Sequence, residues 1–212
     1  MFQNNKDLKL ISLSVENLDD LVDLHIKTFN GFFLTSLGSD FLKTYYDACL
    51  SNENTIALGV IDEKNKVIGF AIGALNAFGY HKKVLFKNIH KFIYSLFVAC
   101  LIKPKSIFRL ILNLNKSPRK FDKKNYSELM SIAVLPSLKG LGIGKLLLTK
   151  FEETAKLKGA KQCALTTDYY NNDLVIEFYK KNNYEVYYDF FAYPKRKMYK
   201  LIKKLPSNII KI

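Results

Sequence analysis

The sequence predicts a fold of the α/β (α+β) class, and three observations carry that prediction. Residues 55–62 and 67–76 are strand-like runs joined by the polar turn Glu63-Lys64-Asn65-Lys66, which reads as an antiparallel hairpin. A later strand, 129–135, passes through a glycine-rich loop straight into a helix, 146–158. Elsewhere in the 212 residues, stretches with helical spacing alternate with short strand-like ones. The length suits one domain spanning 1–212, with residues 80–125 as a basic amphipathic helical insertion.

The elements follow in order. After a short strand at 8–13, Ser14 suits a helix N-cap, with Asn17 or Asp20 in the first turn. Leu18, Leu21, Val22, Leu24 and His25 then fall at helical spacing. Residues 29–38 break the pattern with Gly31, Gly38 and an apolar centre, as a loop or broken helix whose aromatics cover something. A second helix is expected over 40–50, followed by the hairpin. Gly69 and Gly73 lie inside the hairpin's second strand, where glycine marks a bulge or a close approach of other groups.

Residues 80–125 differ in kind. Ile89, Phe92, Ile93, Leu96, Phe97, Cys100 and Leu101 fall on one helical stripe, and Lys103-Pro104 ends it because proline cannot continue the hydrogen-bond ladder. A second apolar run covers 107–114 and a basic loop 116–124. The longest uncharged stretch, 92–102, has 11 residues, well short of the roughly 20 that a spanning helix needs. Two readings stand: a core helix with solvated lysines, or an amphipathic element that covers a substrate pocket or rests on an anionic membrane.

Composition narrows the function classes. With 49% hydrophobic and 14% aromatic residues the chain can bury a sizeable core, which excludes a disordered basic arm. The formal charge of +14 is uneven: residues 1–79 carry 6 basic and 10 acidic groups, whereas 80–125 carry 12 and 1. Cys49, Cys100 and Cys163 lie far apart and form no zinc spacing with His25, His81 and His90, so no metal site is expected. An odd number of separated cysteines favours reduced thiols and a cytoplasmic location, at the inner face of the membrane if the insertion contacts lipid. The polar start MFQNNKDLKL has no apolar stretch with a cleavage site, so a secretory signal is not expected.

The specific chemistry begins after Ser127. In Lys139-Gly140-Leu141-Gly142-Ile143-Gly144-Lys145, a glycine at every second position lets successive N–H groups face one anion, with the positive end of a helix dipole behind them. This is a phosphate or pyrophosphate cradle. A Walker A loop is disfavoured because Leu146 follows Lys145 where a hydroxyl is needed for magnesium. The G-x-G-x-G spacing and the late position in the chain disfavour a Rossmann loop.

The run Ile132-Ala133-Val134-Leu135-Pro136 followed by Lys139 to Gly144 resembles motif A of the GNAT (Gcn5-related N-acetyltransferase) superfamily, with Lys139 where Arg or Gln is usual. A second block, Asn172 to Tyr184, aligns without gaps on that superfamily's motif B. There Val175, Asn183 and Tyr184 replace Ala, Gly and Phe, while Asn172 and Tyr179 are retained. Asn183 suits its position because Asn adopts the left-handed helix-terminal conformation that Gly normally supplies.

The resemblance implies a mixed, mostly antiparallel sheet splayed between its fourth and fifth strands, with helices on both faces and a helical insertion between strands 3 and 4. It implies acetyl-CoA in the wedge as cosubstrate. Backbone groups of Ile132 and Val134 would meet the pantetheine arm, and Lys139, Gly140, Gly142, Ile143, Gly144, Lys145 and Asn172 would complete the cofactor site. Tyr179 resembles the general acid for the departing thiolate, with a helix-packing aromatic as its alternative.

Glu128 is the candidate base, on the same side as Ile132 and Val134 unless a bulge intervenes; pairing with a lysine on the neighbouring loop is the alternative. Asp168 and His81 are weaker candidates. The acceptor wall is expected from Phe32 and Phe33, with Tyr45, Tyr46, His81 and the basic insertion completing it.

The 29–38 pattern resembles acetyltransferases of amino-sugar and surface-polysaccharide pathways. The expected partner is therefore a small-molecule amine, phosphorylated or nucleotide-linked, and the enzyme a monomer or homodimer. Acetylation of a protein amino terminus or lysine is the alternative, and an acceptor groove closed at one end by Phe32 and Phe33 would argue against it. A non-catalytic protein of this fold, peripherally bound to an anionic membrane or to nucleic acid, is the reading from another class. Nucleic acid is the least favoured partner, since CoA accounts for part of the positive field.

Overall fold

A computed structural model describes residues 8–102, 112, 122–123 and 125–206. Seven strands form one sheet: β1 (Lys9–Ser12), β2 (Thr55–Ile61), β3 (Val67–Ala74), β4 (Ser127–Val134), β5 (Gln162–Asp168), β6 (Glu185–Ala192) and β7 (Arg196–Lys204). Their spatial order is β1-β2-β3-β4-β5-β7-β6, and every neighbouring pair is antiparallel except β4 with β5. The hairpin expected at 55–76 is present as β2 and β3. The β6–β7 hairpin was not foreseen; β7 lies between β6 and β5, so the last strand of the chain is internal to the sheet.

Helices cover both faces. On one side α1 (Leu18–Thr28), the single turn α2 (Phe33–Ser36) and α3 (Ser39–Leu50) pack against the sheet, with Leu21, Val22, Leu24, Leu42 and Tyr46 meeting Phe70, Ile72 and Ala133. Ser14 does cap a helical turn, but a 3-10 turn at Val15–Asn17, through a capping box with Asn17; α1 follows directly.

On the other side α6 (Ile143–Leu157) lays Ile143, Leu147, Leu148, Phe151 and Ala155 onto β2, β3 and β5. That spacing is the apolar stripe of a half-buried helix. A last helix, α7 (Asp173–Lys181), places Tyr179 in the same core.

Because both faces are covered, all eight residues of β3 are buried, and the strand reads as a continuous apolar run. Its glycines answer the expectation of a close approach. A Cβ at Gly73 would lie 2.6 Å from the Phe151 ring, and one at Gly69 3.1 Å from Ile143. The groups that pass close to the strand are α6 and, nearest of all to Gly73, the Glu128 carbonyl of β4.

The insertion begins with α4 (Tyr80–Lys87) and α5 (Ile89–Ile102). Tyr80, Val84 and Phe92 join Phe41, Ala48 and Cys49 of α3 in a third cluster. The single stripe expected along α5 is divided: Phe92 is 1% exposed and Leu96 half-buried, but Ile93 and Phe97 stand 63% and 61% exposed. The side chains of Cys100 and Leu101, and the expected 107–114 run and 116–124 loop apart from Leu112, Asp122 and Lys123, lie outside the described residues.

Among the described residues no helix is long and apolar enough to cross a membrane, and no group of His, Cys, Asp and Glu side chains could hold a metal ion. Cys49 and Cys163 are buried, which pushes their thiols up to about 11 and about 12.

Candidate active site

The sheet opens where the one parallel pair fails. β4 and β5 share only three register pairs, Ser127 with Cys163, Glu128 with Ala164 and Leu129 with Leu165. Beyond Leu129, β4 continues along β3 to Val134, while β5 follows β7, with Thr166 opposite Lys200 and Asp168 opposite Met198. The two strands thus separate toward their carboxyl ends.

A bulge alters what β4 shows to this opening. Ile72 pairs with Ser131 and Gly73 with Leu129, so Met130 is one extra residue on β4. Leu129, Ile132 and Val134 accordingly pack toward α6, whereas Met130 and Ala133 pack toward α1 and α3. Glu128, next to Leu129, alternates to the α1/α3 side. It does not share a face with Ile132 and Val134, as it would have without the bulge.

At the carboxyl end of β4 the glycine loop turns into α6. Gly140 (φ +86°) and Gly142 (φ +79°) are both left-handed, and Gly142 immediately precedes the first helical residue. The helix starts at Ile143, three residues earlier than the spacing suggested, and its first intrahelical bond runs from Leu146 N–H to Gly142 C=O, 3.0 Å. The N–H groups of Ile143, Gly144 and Lys145 belong to the turn whose donors have no intrahelical partner. Lys139, Gly140 and Lys145 are exposed at this mouth, while the Ile143 side chain is core. Backbone donors and a helix dipole are therefore presented at the start of α6, with two exposed lysines in the same segment.

The far side of the opening is built by the β5–α7 junction. Asn172 donates through Nδ2 to Thr167 Oγ1 (2.7 Å) and to the Asp168 carbonyl (3.1 Å), tying the end of β5 to the start of α7. About two turns further, Tyr179 is 6% exposed, edge-on to Tyr184 with ring centroids 5.7 Å apart; burial pushes its hydroxyl pKa up. Asn183 ends that segment in the left-handed conformation, φ +66°.

At the root of the opening lies a polar cluster that sequence reasoning did not assemble. Glu128 forms an ion pair with Lys200, whose side chain is 4% exposed; the partner lysine comes from β7 and not from the neighbouring loop. Lys200 Nζ also lies 4.8 Å from the centroid of the Tyr126 ring. Asp122, buried, accepts hydrogen bonds from the hydroxyls of Tyr126 (2.9 Å) and Tyr188 (2.5 Å). Burial, followed by the charges of Glu128 and Asp122, raises the Tyr126 pKa, and burial with the Asp122 bond raises that of Tyr188, so both stay protonated donors. Lys200 was legible only as one of several lysines in a strand that had not been assigned.

The acceptor-side residues separate into two groups. Phe32 is 40% exposed, and Arg196, at the start of β7, stacks over its ring at 5.0 Å. Arg196 also forms a two-bond ion pair with Asp168. The α1–α2 segment and the β6–β7 turn thus touch across the end of β5. Phe33 packs into the third cluster. Tyr46 is fully buried, its hydroxyl 2.7 Å from His25 Nδ1, and belongs to the core between α1, α3 and β3. His81 is exposed on α4 beside Tyr80.

A sheet parted beside a glycine-rich helix start is the architecture that this chain shares with the solved structures to which its fold is similar. Residues 108–184 match the Acetyltransferase (GNAT) family. The fold is similar to that of PaiA N-acetyltransferase from Thermoplasma acidophilum in complex with coenzyme A, at 18% identity and TM-score 0.58, over 93% of this chain and 99% of that one. It is also similar to the ribosomal-protein-S18-alanine N-acetyltransferase from Escherichia coli, at 12% identity and TM-score 0.59, over 97% and 99% of the two chains. Ard1 from Thermoplasma volcanium is likewise similar, at 12% identity and TM-score 0.59, over 95% and 99%. No curated protein matches the sequence. The family match covers the part of the chain that holds β4, the glycine loop, α6, β5 and α7, and the likeness to the solved structures is one of fold. These matches reach the superfamily and no narrower branch.

Proposed function

We propose that the protein acetylates the α-amino group of a protein or peptide amino terminus, by direct attack of the neutral amine on acetyl-CoA in a ternary complex. The observation that carries this reading is that both carboxylates bordering the opening are ion-paired, Glu128 with Lys200 and Asp168 with Arg196. A carboxylate whose oxygen already accepts from a cation has to give up that contact before it can take a proton. An α-amino group, with a pKa of about 7.7–8.0, needs far less help to lose its proton than a lysine near 10.4. The E. coli protein of similar fold acts, by its name, on an alanine of a ribosomal protein, which agrees with this acceptor class.

In this scheme Glu128, on the α1/α3 side of β4, takes the amine proton, directly or through water. Tyr179 donates a hydrogen bond to the sulfur as the thiolate leaves. Its raised pKa keeps it protonated for that task, and makes it a stabilising donor more than a strong acid. Backbone groups of Ile132 and Val134 carry the pantetheine arm, and those of Gly140, Gly142, Ile143 and Gly144 the pyrophosphate, with Lys139 and Lys145 adding charge. Asn172 serves the donor side by fixing the junction from which α7 brings Tyr179.

A second reading is a small-molecule amine such as a phosphorylated amino sugar. The contact of Arg196 with Phe32 favours it, because it joins two walls of the acceptor side and puts a cation there. The test is CoA release with an alanine-initiated peptide, an Nα-blocked lysine peptide and an amino-sugar phosphate. Turnover is expected with the first. Turnover with the sugar phosphate alone would replace the proposal with the second reading. Tyr179→Phe is expected to lower kcat about a hundredfold with acetyl-CoA affinity kept; unchanged turnover refutes its role.

A further inference from the structure

Helix α5 has two apolar faces, and the described residues bury only one of them. Phe92 and Leu96, four residues apart, pack on α3. Ile89, Ile93 and Phe97 continue the same four-residue spacing on a neighbouring stripe at 42%, 63% and 61% exposure, with Tyr94 beside them at 70%. The preceding helix presents Phe86, 68% exposed, among Lys82, Lys83 and Lys87. None of these three lysines has a carboxylate partner among the described residues. A helix apolar on both sides has a second partner to find.

We propose that this face seats the protein on an anionic lipid bilayer, with α5 lying in the plane of the interface. The argument is one of charge. Residues 80–125 hold 12 basic groups and one acid, and that acid, Asp122, is 4% exposed and takes hydrogen bonds from Tyr126 and Tyr188. The charged side chains that α4 and α5 expose among the described residues, Lys82, Lys83, Lys87 and Lys91, are likewise of one sign. A second copy docked face to face would set cation against cation. Nucleic acid would satisfy the lysines and leave Ile93 and Phe97 in water. An anionic bilayer satisfies both, with aliphatic and aromatic side chains below the headgroups and ammonium groups among them. No described helix is long and apolar enough to cross, so the contact is peripheral.

The test is sedimentation of the full chain with vesicles of phosphatidylcholine containing about one third phosphatidylglycerol, against pure phosphatidylcholine. Binding is expected to the anionic vesicles and to fall with salt. Ile93→Ser/Phe97→Ser should weaken it at least about tenfold while CoA binding and turnover persist. Replacing Lys82, Lys83 and Lys87 by Gln should weaken it about fivefold per lysine. Equal binding to both vesicle types, or none to either, overturns the proposal. So does anionic binding indifferent to Ile93→Ser/Phe97→Ser, which would be the behaviour of a nucleic-acid-like polycation site. Self-association abolished by the same double variant overturns it in favour of a second copy.

Discussion

His25 should make the stability of this protein fall between neutral and mildly acid pH. The side chain is 2% exposed on α1, with Nδ1 2.7 Å from the Tyr46 hydroxyl and the ring 4.7 Å from that of Phe29. Burial lowers its pKa from 6.5 to about 4. The unfolded chain takes up the proton near pH 6.5, whereas the folded chain resists it until about pH 4. Between those values the unfolded state binds more protons, so stability is full above pH 6.5 and declines as pH falls, reaching its lowest level below pH 4. At 1.36 kcal/mol per pKa unit the decline is about 3 kcal/mol. Carboxylates contribute their own acid sensitivity, so the measurement is a difference. Urea unfolding of the wild type and of His25→Gln at pH 7, 5.5 and 4.5 should show the wild type losing about 2 kcal/mol more than the variant by pH 4.5. Gln keeps a polar atom near Tyr46 and does not titrate. A wild-type-to-variant difference that stays constant over that range would refute the reasoning.

Two further outcomes concern the opening itself. Lys200→Met should destabilise by about 3–5 kcal/mol, because it removes the buried ammonium from Glu128, and Glu128→Gln/Lys200→Met should recover most of that loss in a denaturation cycle. Additive losses would mean the pair does not interact. Gly142→Ala, which forces a Cβ into φ +79°, should cost about 1–2 kcal/mol in stability and raise KM for acetyl-CoA more than it lowers kcat, as read by thermal unfolding and steady-state kinetics.

What was legible in the sequence followed from local rules. The β4–loop–α6 unit and the Asn172 to Tyr184 block were readable because their glycines, prolines and polar caps act within a few residues of where they stand. Gly69 and Gly73 announced a close approach for the same reason, since only a missing Cβ admits the Phe151 ring there.

What was not legible depends on partners distant along the chain. Glu128 and Lys200 are 72 residues apart and Tyr188 and Asp122 are 66 apart, and no periodicity links them. Nor does composition reveal the Met130 bulge, which reverses the side on which Glu128 stands. The α5 stripe failed for another reason: its apolar residues span more of the helix than one packing face can bury, so spacing alone could not say which of them goes inward. Tyr46 shows the converse, an aromatic that spacing places on a helix but that only its fit beneath β3 and against His25 makes core.

The extra residue at Met130 divides β4 into two segments of opposite phase. Residues on its carboxyl side and those on its amino side can vary under separate constraints, because alternation is broken between them. Directed variation at Glu128 would thus reshape one compartment of the protein while Ile132 and Val134 kept the other in register. Deleting Met130 would join the phases and turn the amino-terminal half of the strand inside out.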